Sequence, residues 1–179
     1  MSAHHATAIG MGDSNAGIRV YIANRPAMAE YADLASVQPL HSGEIELINQ
    51  ACGNGWRKVF NVYAKLLFAL DKQQFVFARQ ASSWQHYRDQ HLLQAASQTA
   101  LLFSAPELTP AEKTVHIIAG RTFAKTILEA GLPAQLHWLN HEFAVDKPNR
   151  LLVSPYFDYR QLNNEKLLFL AQLIKALDE

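Results

Sequence analysis

Residues 114–133, TVHIIAGRTFAKTILEAGLP, decide the fold. Thr114 to Ala119 is a short apolar run with β-branched residues, which reads as a buried strand. Gly120 turns the chain into a helix, Arg121 to Ala130, which Gly131 and Pro133 stop. A strand, a glycine turn and a helix form the repeating unit of a parallel sheet covered by helices. The same order recurs on either side. IRVYIA, Ile18 to Ala23, is a strand stopped by Asn24-Arg25-Pro26, because proline removes a ladder donor. TALLFS, Thr99 to Ser104, ends at Pro106, and RLLVS, Arg150 to Ser154, ends at Pro155. Leu136 to Leu139 reads as a further short strand.

Helical periods fill the intervals. Glu44 to Cys52 reads as a short helix closed by Gly53-Asn54-Gly55. Beyond it Trp56, Val59, Phe60, Tyr63, Leu66, Leu67 and Leu70 build one apolar stripe. Ser83 caps a helix through Trp84, Tyr87 and His91. The last helix turns Leu167, Leu170, Ile174 and Leu177 inward, with Asn163 or Asn164 as its cap. These elements predict an α/β fold, a three-layer α/β/α arrangement around a four-stranded, mainly parallel central sheet. Residues 18–179 form the single domain, and residues 1–17 are predicted to be a flexible N-terminal arm.

Composition narrows the function. The chain has 179 residues, of which 49 % are hydrophobic and 18 % charged, a balance that excludes a disordered protein. Sixteen Lys and Arg against sixteen Asp and Glu give zero net charge, which argues against long-range capture by nucleic acid or an anionic membrane. The first seventeen residues lack a basic start and apolar core, so no secretory signal is read there. Apolar stretches such as Leu66 to Leu70 fall far short of the ~18 residues that span a bilayer. A cytoplasmic protein without membrane contact is expected. Cys52 is alone and reads as a structural cysteine.

Ligands of open parallel sheets bind beyond the carboxyl ends of the strands, where helix N-termini offer free N–H groups. Asn24 and Arg25 follow the first strand, Gly120 and Arg121 the third, and Tyr156, Asp158, Tyr159 and Arg160 the fourth. Arg57 and Lys58 open the Trp56 helix, where the macrodipole disfavours cations unless an anion shares the site. Arg25, Arg57, Arg121, Tyr156 and Arg160 are therefore the candidate ligand-binding residues; the alternative is that these arginines form internal ion pairs, for example with Asp158. Tyr156 either stacks a ring or plugs the sheet end, while Phe157 is assigned to packing. Phosphate-loop, dinucleotide and nucleophile-elbow motifs are absent, and no cofactor is implied. His137, His141 and Glu142 have metal-like spacing on a segment too short for a helix, so no metal site is assigned. His116 reads as a satisfied core histidine.

The blocks GNGWRKVFNVYAKL, IIAGRTFAKTIL and SPYFDYRQLNNEKL resemble those of a small uncharacterised bacterial protein family. The order of elements also resembles the uracil-DNA glycosylase superfamily, through IANRPA, the Trp56 helix, ALLFSAPELT, HIIAGRTFAK and LLVSPYFDYRQL. That resemblance implies an N-glycosidic hydrolase with a carboxylate or Asn before the first-loop Pro. Here Arg25 holds that place, with Asn24 one residue earlier, and Ser154 stands where the family has a His. A guanidinium cannot act as a base near neutral pH.

The leading expectation is a site for a small anionic ligand, a nucleotide or a nucleic-acid end at the carboxyl edge of the sheet. Were there catalysis, Asp158 and Asn24 would carry it, Asp158 as an ionised carboxylate able to orient water. The alternatives are a divergent glycosylase-like nucleic-acid protein and a protein-interaction module, the latter with a homodimer through its helices.

Overall fold

The computed structural model describes residues 8–109 and 112–179. In chain order its elements are β1 (Gly10–Gly12), β2 (Ile18–Tyr21), α1 (Ala29–Ala32), β3 (Val37–Gln38), α2 (Glu44–Cys52), α3 (Asn54–Ala69), α4 (Trp84–Gln90) and β4 (Thr99–Leu102). There follow β5 (Val115–Ala119), α5 (Arg121–Glu129), β6 (His137–Trp138), β7 (Ala144–Asp146), β8 (Leu151–Ser154) and α6 (Asn164–Ala176). The strands form one mixed sheet of eight in the order β3-β1-β4-β2-β5-β8-β7-β6.

The four-strand expectation is thus corrected to eight, and the reason is local. Its four strands are the central ones: β4, β2, β5 and β8 lie side by side, all parallel. Of the four additions, β6 falls within the short strand expected at Leu136 to Leu139, while β1, β3 and β7 are two or three residues long, too short to show a period. β7 extends one edge antiparallel to β8, and β6 in turn pairs antiparallel with β7. On the other side β1 pairs antiparallel with β4 and parallel with β3.

β1 also corrects the flexible arm. Residues 10–12 are fully buried in the sheet, and Phe103 donates its N–H to the Ile9 carbonyl at 2.8 Å. Their glycines carry no strand signal, yet they are what permits the pairing. A Cβ at Gly10 would stand 2.3 Å from the Leu101 carbonyl oxygen. The remainder of the arm, residues 1–7, lies outside the described residues.

Alternation along each central strand feeds two cores. Ile18, Val20, Ile117 and Leu152 meet α2, α3, α4 and α6 on one face. Tyr21, Ile118, Leu151 and Val153 meet Ala124 and Ile127 of α5 on the other. α3 contributes most to the first core because its stripe, Trp56 through Leu67, is buried along the helix. Tyr63 anchors it, donating its hydroxyl to the Ala100 carbonyl at 2.9 Å. The predicted caps are in place: Ser83 accepts from the His86 N–H and Asn163 from the Lys166 N–H. No described helix is long and apolar enough to cross a membrane.

His116 is a core histidine, its Nδ1 sharing a 2.7 Å hydrogen bond with the Tyr21 hydroxyl. Burial first, then Arg19 and Arg150, push its imidazole from 6.5 down to about 4. The folded value lies below the unfolded one, so the unfolded chain takes the proton first as pH falls. The stability His116 confers as a neutral ring is complete above pH 6.5 and is lost between pH 6.5 and about 4. Urea unfolding should show this contribution falling by about 2 kcal/mol between pH 6.5 and 5. In a His116→Gln chain the fall over that range should be smaller by this amount, and equal slopes in the two chains would contradict the assignment.

Candidate functional site

β2, β5 and β8 deliver their carboxyl ends to a common cleft of about 710 Å³. Its position follows from connectivity. From β2 the chain crosses to β4 on one side, whereas β5 and β8 continue on the other. The crevice where the order reverses is left open by the diverging connections. Ala23, Ala119, Gly120 and Pro155 line it at the strand ends, where small side chains leave space. Phe123 and Tyr156 add aromatic surface, and Arg121, Thr122, Thr126, His141, Glu142 and Gln161 add polar groups.

α5 begins at this cleft. Gly120 adopts φ +106°, accessible to glycine, and its N–H donates to the Ser154 carbonyl at 2.8 Å, tying the ends of β5 and β8. The first intrahelical bond runs from the Ala124 N–H to the Gly120 carbonyl at 3.1 Å. The N–H groups of Arg121, Thr122 and Phe123 precede that ladder, with no side-chain cap and no acid in the first turn. A positive helix end without a carboxylate is a site of favourable potential for an anion.

Arg121 stands at that end, held in one pose. Its Nη1 donates to the His141 carbonyl at 2.8 Å and lies 2.6 Å from His141 Nδ1, while the guanidinium sits 5.0 Å from the Trp138 ring centre. Both polar contacts use Nη1, which leaves Nε and Nη2 as donors for a ligand. The carboxylate of Glu142 is matched by Lys166 at 2.7 Å. Asn24 joins from the β2 loop through its amide, 3.3 Å from the Tyr156 hydroxyl.

Of the candidate residues, the structure thus brings Asn24, Arg121 and Tyr156 together. Arg25 points elsewhere, donating to the Ala32 carbonyl at 2.8 Å and lying 5.5 Å from the Phe103 ring centre. Arg57 lies on α3, 3.9 Å from Glu46, in an exposed pair. Asp158 and Arg160 bond to each other. One Asp158 oxygen accepts from the Arg160 N–H at 2.9 Å, the other from its Nη2 at 2.8 Å, and Lys58 is 3.8 Å away. Hydrogen bonds from Arg160 hold this carboxyl below its ordinary range, at about 2, despite partial burial. So bound, the carboxylate braces the loop after β8 and is a weak base.

His141, Glu142, Phe123 and Gln161 join the cleft without having been singled out as ligand-binding residues. His141 and Glu142 come from the turn between β6 and β7, whose position depends on pairing with β8 rather than on a local motif. Phe123 lies in the first turn of α5, two positions beyond Arg121. Among the described residues, no group of three or more His, Cys, Asp and Glu is arranged to hold a metal ion. His141 instead meets Arg121, and the His86 and His91 rings meet edge to face at 5.8 Å.

A family model described as a family of unknown function (DUF6942) matches residues 9–175. No curated protein and no solved structure matches the chain. The match agrees with the resemblance to an uncharacterised family, and nothing found supports a relationship to uracil-DNA glycosylases.

Proposed function

The chain belongs to a family of unknown function, DUF6942, and from its own cleft we propose that it binds a small phosphate-bearing anion, a mononucleotide or nucleic-acid end, within a three-layer α/β/α fold. One observation carries the reading: the uncapped start of α5 and the braced Arg121 meet in the crevice between β2 and β5. Phosphate oxygens accept from the amides of residues 121–123 and from Arg121 Nε and Nη2. A planar base lies between Phe123 and Tyr156, whose hydroxyl is oriented by Asn24. Thr122 and Gln161 offer donors and acceptors for a sugar or base edge.

The neutral composition fits such a ligand. A single phosphate is recognised by a few charge-assisted bonds in a concave site, without a field spread over the surface. Thermal-shift measurements with inorganic phosphate and mononucleotides test it. At a hundred times its dissociation constant the bound anion stabilises by about 2.7 kcal/mol, or about 5–11 °C for a chain of this size. Arg121→Gln should weaken binding by about tenfold to a hundredfold, as expected for losing a bond between charged groups. An unchanged melting temperature with every phosphate compound, or a variant indistinguishable from the parent, would contradict the proposal.

A further inference from the structure

A second polar groove, of about 340 Å³, lies along α3 between Asn54, Arg57, Lys58, Asn61, Lys65 and the exposed ring of Tyr159. No carboxylate lines it, and α3 contains no acidic residue in sixteen positions. Its cations are only partly matched. Arg57 meets Glu46 at 3.9 Å with both side chains about half exposed, a screened and weak pair. Lys58 shares Asp158 with Arg160 and lies 5.6 Å from the Tyr159 ring centre. Lys65 rests on the Trp84 ring, 4.9 Å from its centre. Arg88 donates to Asn61 Oδ1 at 2.8 Å, which fixes the amide and leaves its N–H₂ as a donor.

Arg57, Asn61 and Lys65 stand at i, i+4 and i+8, so their side chains form one row with a step of about 6 Å per residue pair. An extended polynucleotide presents one phosphate per similar step. Beside that row Tyr159, 55 % exposed, offers a flat ring face in a basic setting. The geometry points to this groove as a site for the phosphodiester backbone of a single-stranded nucleic acid, with a base stacked on Tyr159. An acidic peptide would use the cations but leave the aromatic face without a planar partner.

The groove adjoins the cleft through one loop. Tyr156 and Gln161 line the cleft and Tyr159 lines the groove. Three residues limit the Cα separation of Tyr156 and Tyr159 to about 11 Å. A strand whose end occupies the cleft therefore reaches the groove within a few nucleotides. That continuity rests on the phosphate reading of the cleft, whereas the groove stands on its own residues.

Fluorescence anisotropy of the full chain with labelled oligo(dT) of about ten nucleotides tests the assignment. Phosphates neutralised by Arg57, Lys58 and Lys65 give a slope of about −2 in log K against log salt, about a twentyfold loss between 50 and 200 mM. Arg57→Gln with Lys65→Gln should cut the slope to below about 1, while inorganic phosphate still raises the melting temperature of that folded variant. Tyr159→Leu should weaken oligonucleotide binding by about fivefold to a hundredfold and keep the slope. Oligonucleotide bound no tighter than a mononucleotide, or a double variant with the parent's slope, overturns the groove and leaves the cleft standing. Polyglutamate competing as well as oligo(dT) overturns the assignment to nucleic acid. Oligonucleotide binding without any response to phosphate supports the groove and removes the cleft reading.

Discussion

A Gly12→Ala chain is expected to lose about 2–6 kcal/mol of stability, combining backbone strain with overpacking of a closed site. Gly12 has φ +123°, and a Cβ there would stand 2.3 Å from the Thr99 carbonyl oxygen and 2.7 Å from Ala100 Cα. Both obstacles are backbone of β4, so a side-chain rotation cannot relieve them. The strand would have to separate from its neighbour. Gly131 supplies the control, since its φ is +110° but a Cβ there meets nothing within 4 Å. Gly131→Ala carries the strain term alone and should lose clearly less. Urea denaturation of both variants measures the difference, and equal losses would mean that residues 10–12 are not packed in the sheet.

Phe157→Ala should cost about 3–5 kcal/mol, the range for truncating a fully buried aromatic. Phe157 is 0 % exposed and meets Tyr63 edge to face at 5.8 Å. It ties the loop after β8 to the helix that carries the groove. On one side of it Tyr156 lines the cleft, and on the other Asp158 holds Arg160 and Lys58. Its removal therefore weakens the fold and slackens both binding surfaces. Unfolding curves should show the loss, and phosphate should stabilise the variant less than the parent. Phe157→Leu keeps most of the volume and should retain most of both properties. A Phe157→Ala variant within about 1 kcal/mol of the parent would mean that the loop is not anchored there.

What the sequence disclosed and what it hid follow the range of the interactions. The central strands were legible as short apolar runs ended by proline or glycine, α2 and α5 through the glycines that close them, and α3 and α6 because their apolar residues repeat with a helical period. β6 was legible as the short strand expected at Leu136 to Leu139, whereas β1, β3 and β7 were hidden, since two or three residues carry no period and their pairing is not set by a local motif. β1 was doubly hidden, because its glycines read as flexibility when they serve close approach.

The site divides in the same way. Arg121 and Tyr156 follow strand ends, which sequence can locate, and the sheet brings them together at the cleft. Arg25 also follows a strand, but its guanidinium turns back to the Ala32 carbonyl of the next helix. Asp158 had the neighbours expected of it, and those neighbours occupy both its oxygens. Charge placed on predicted elements thus located the edge, while side-chain direction decided which charges face the cleft.

Amide NMR of the chain titrated with a mononucleotide measures the central claim most directly. The account predicts that the amides of Arg121, Thr122 and Phe123, open at the start of α5, shift most and in a saturable way. In an Arg121→Gln chain the same amides should saturate at about tenfold to a hundredfold higher ligand. Saturable shifts centred on another part of the surface, with these amides unmoved, would contradict it.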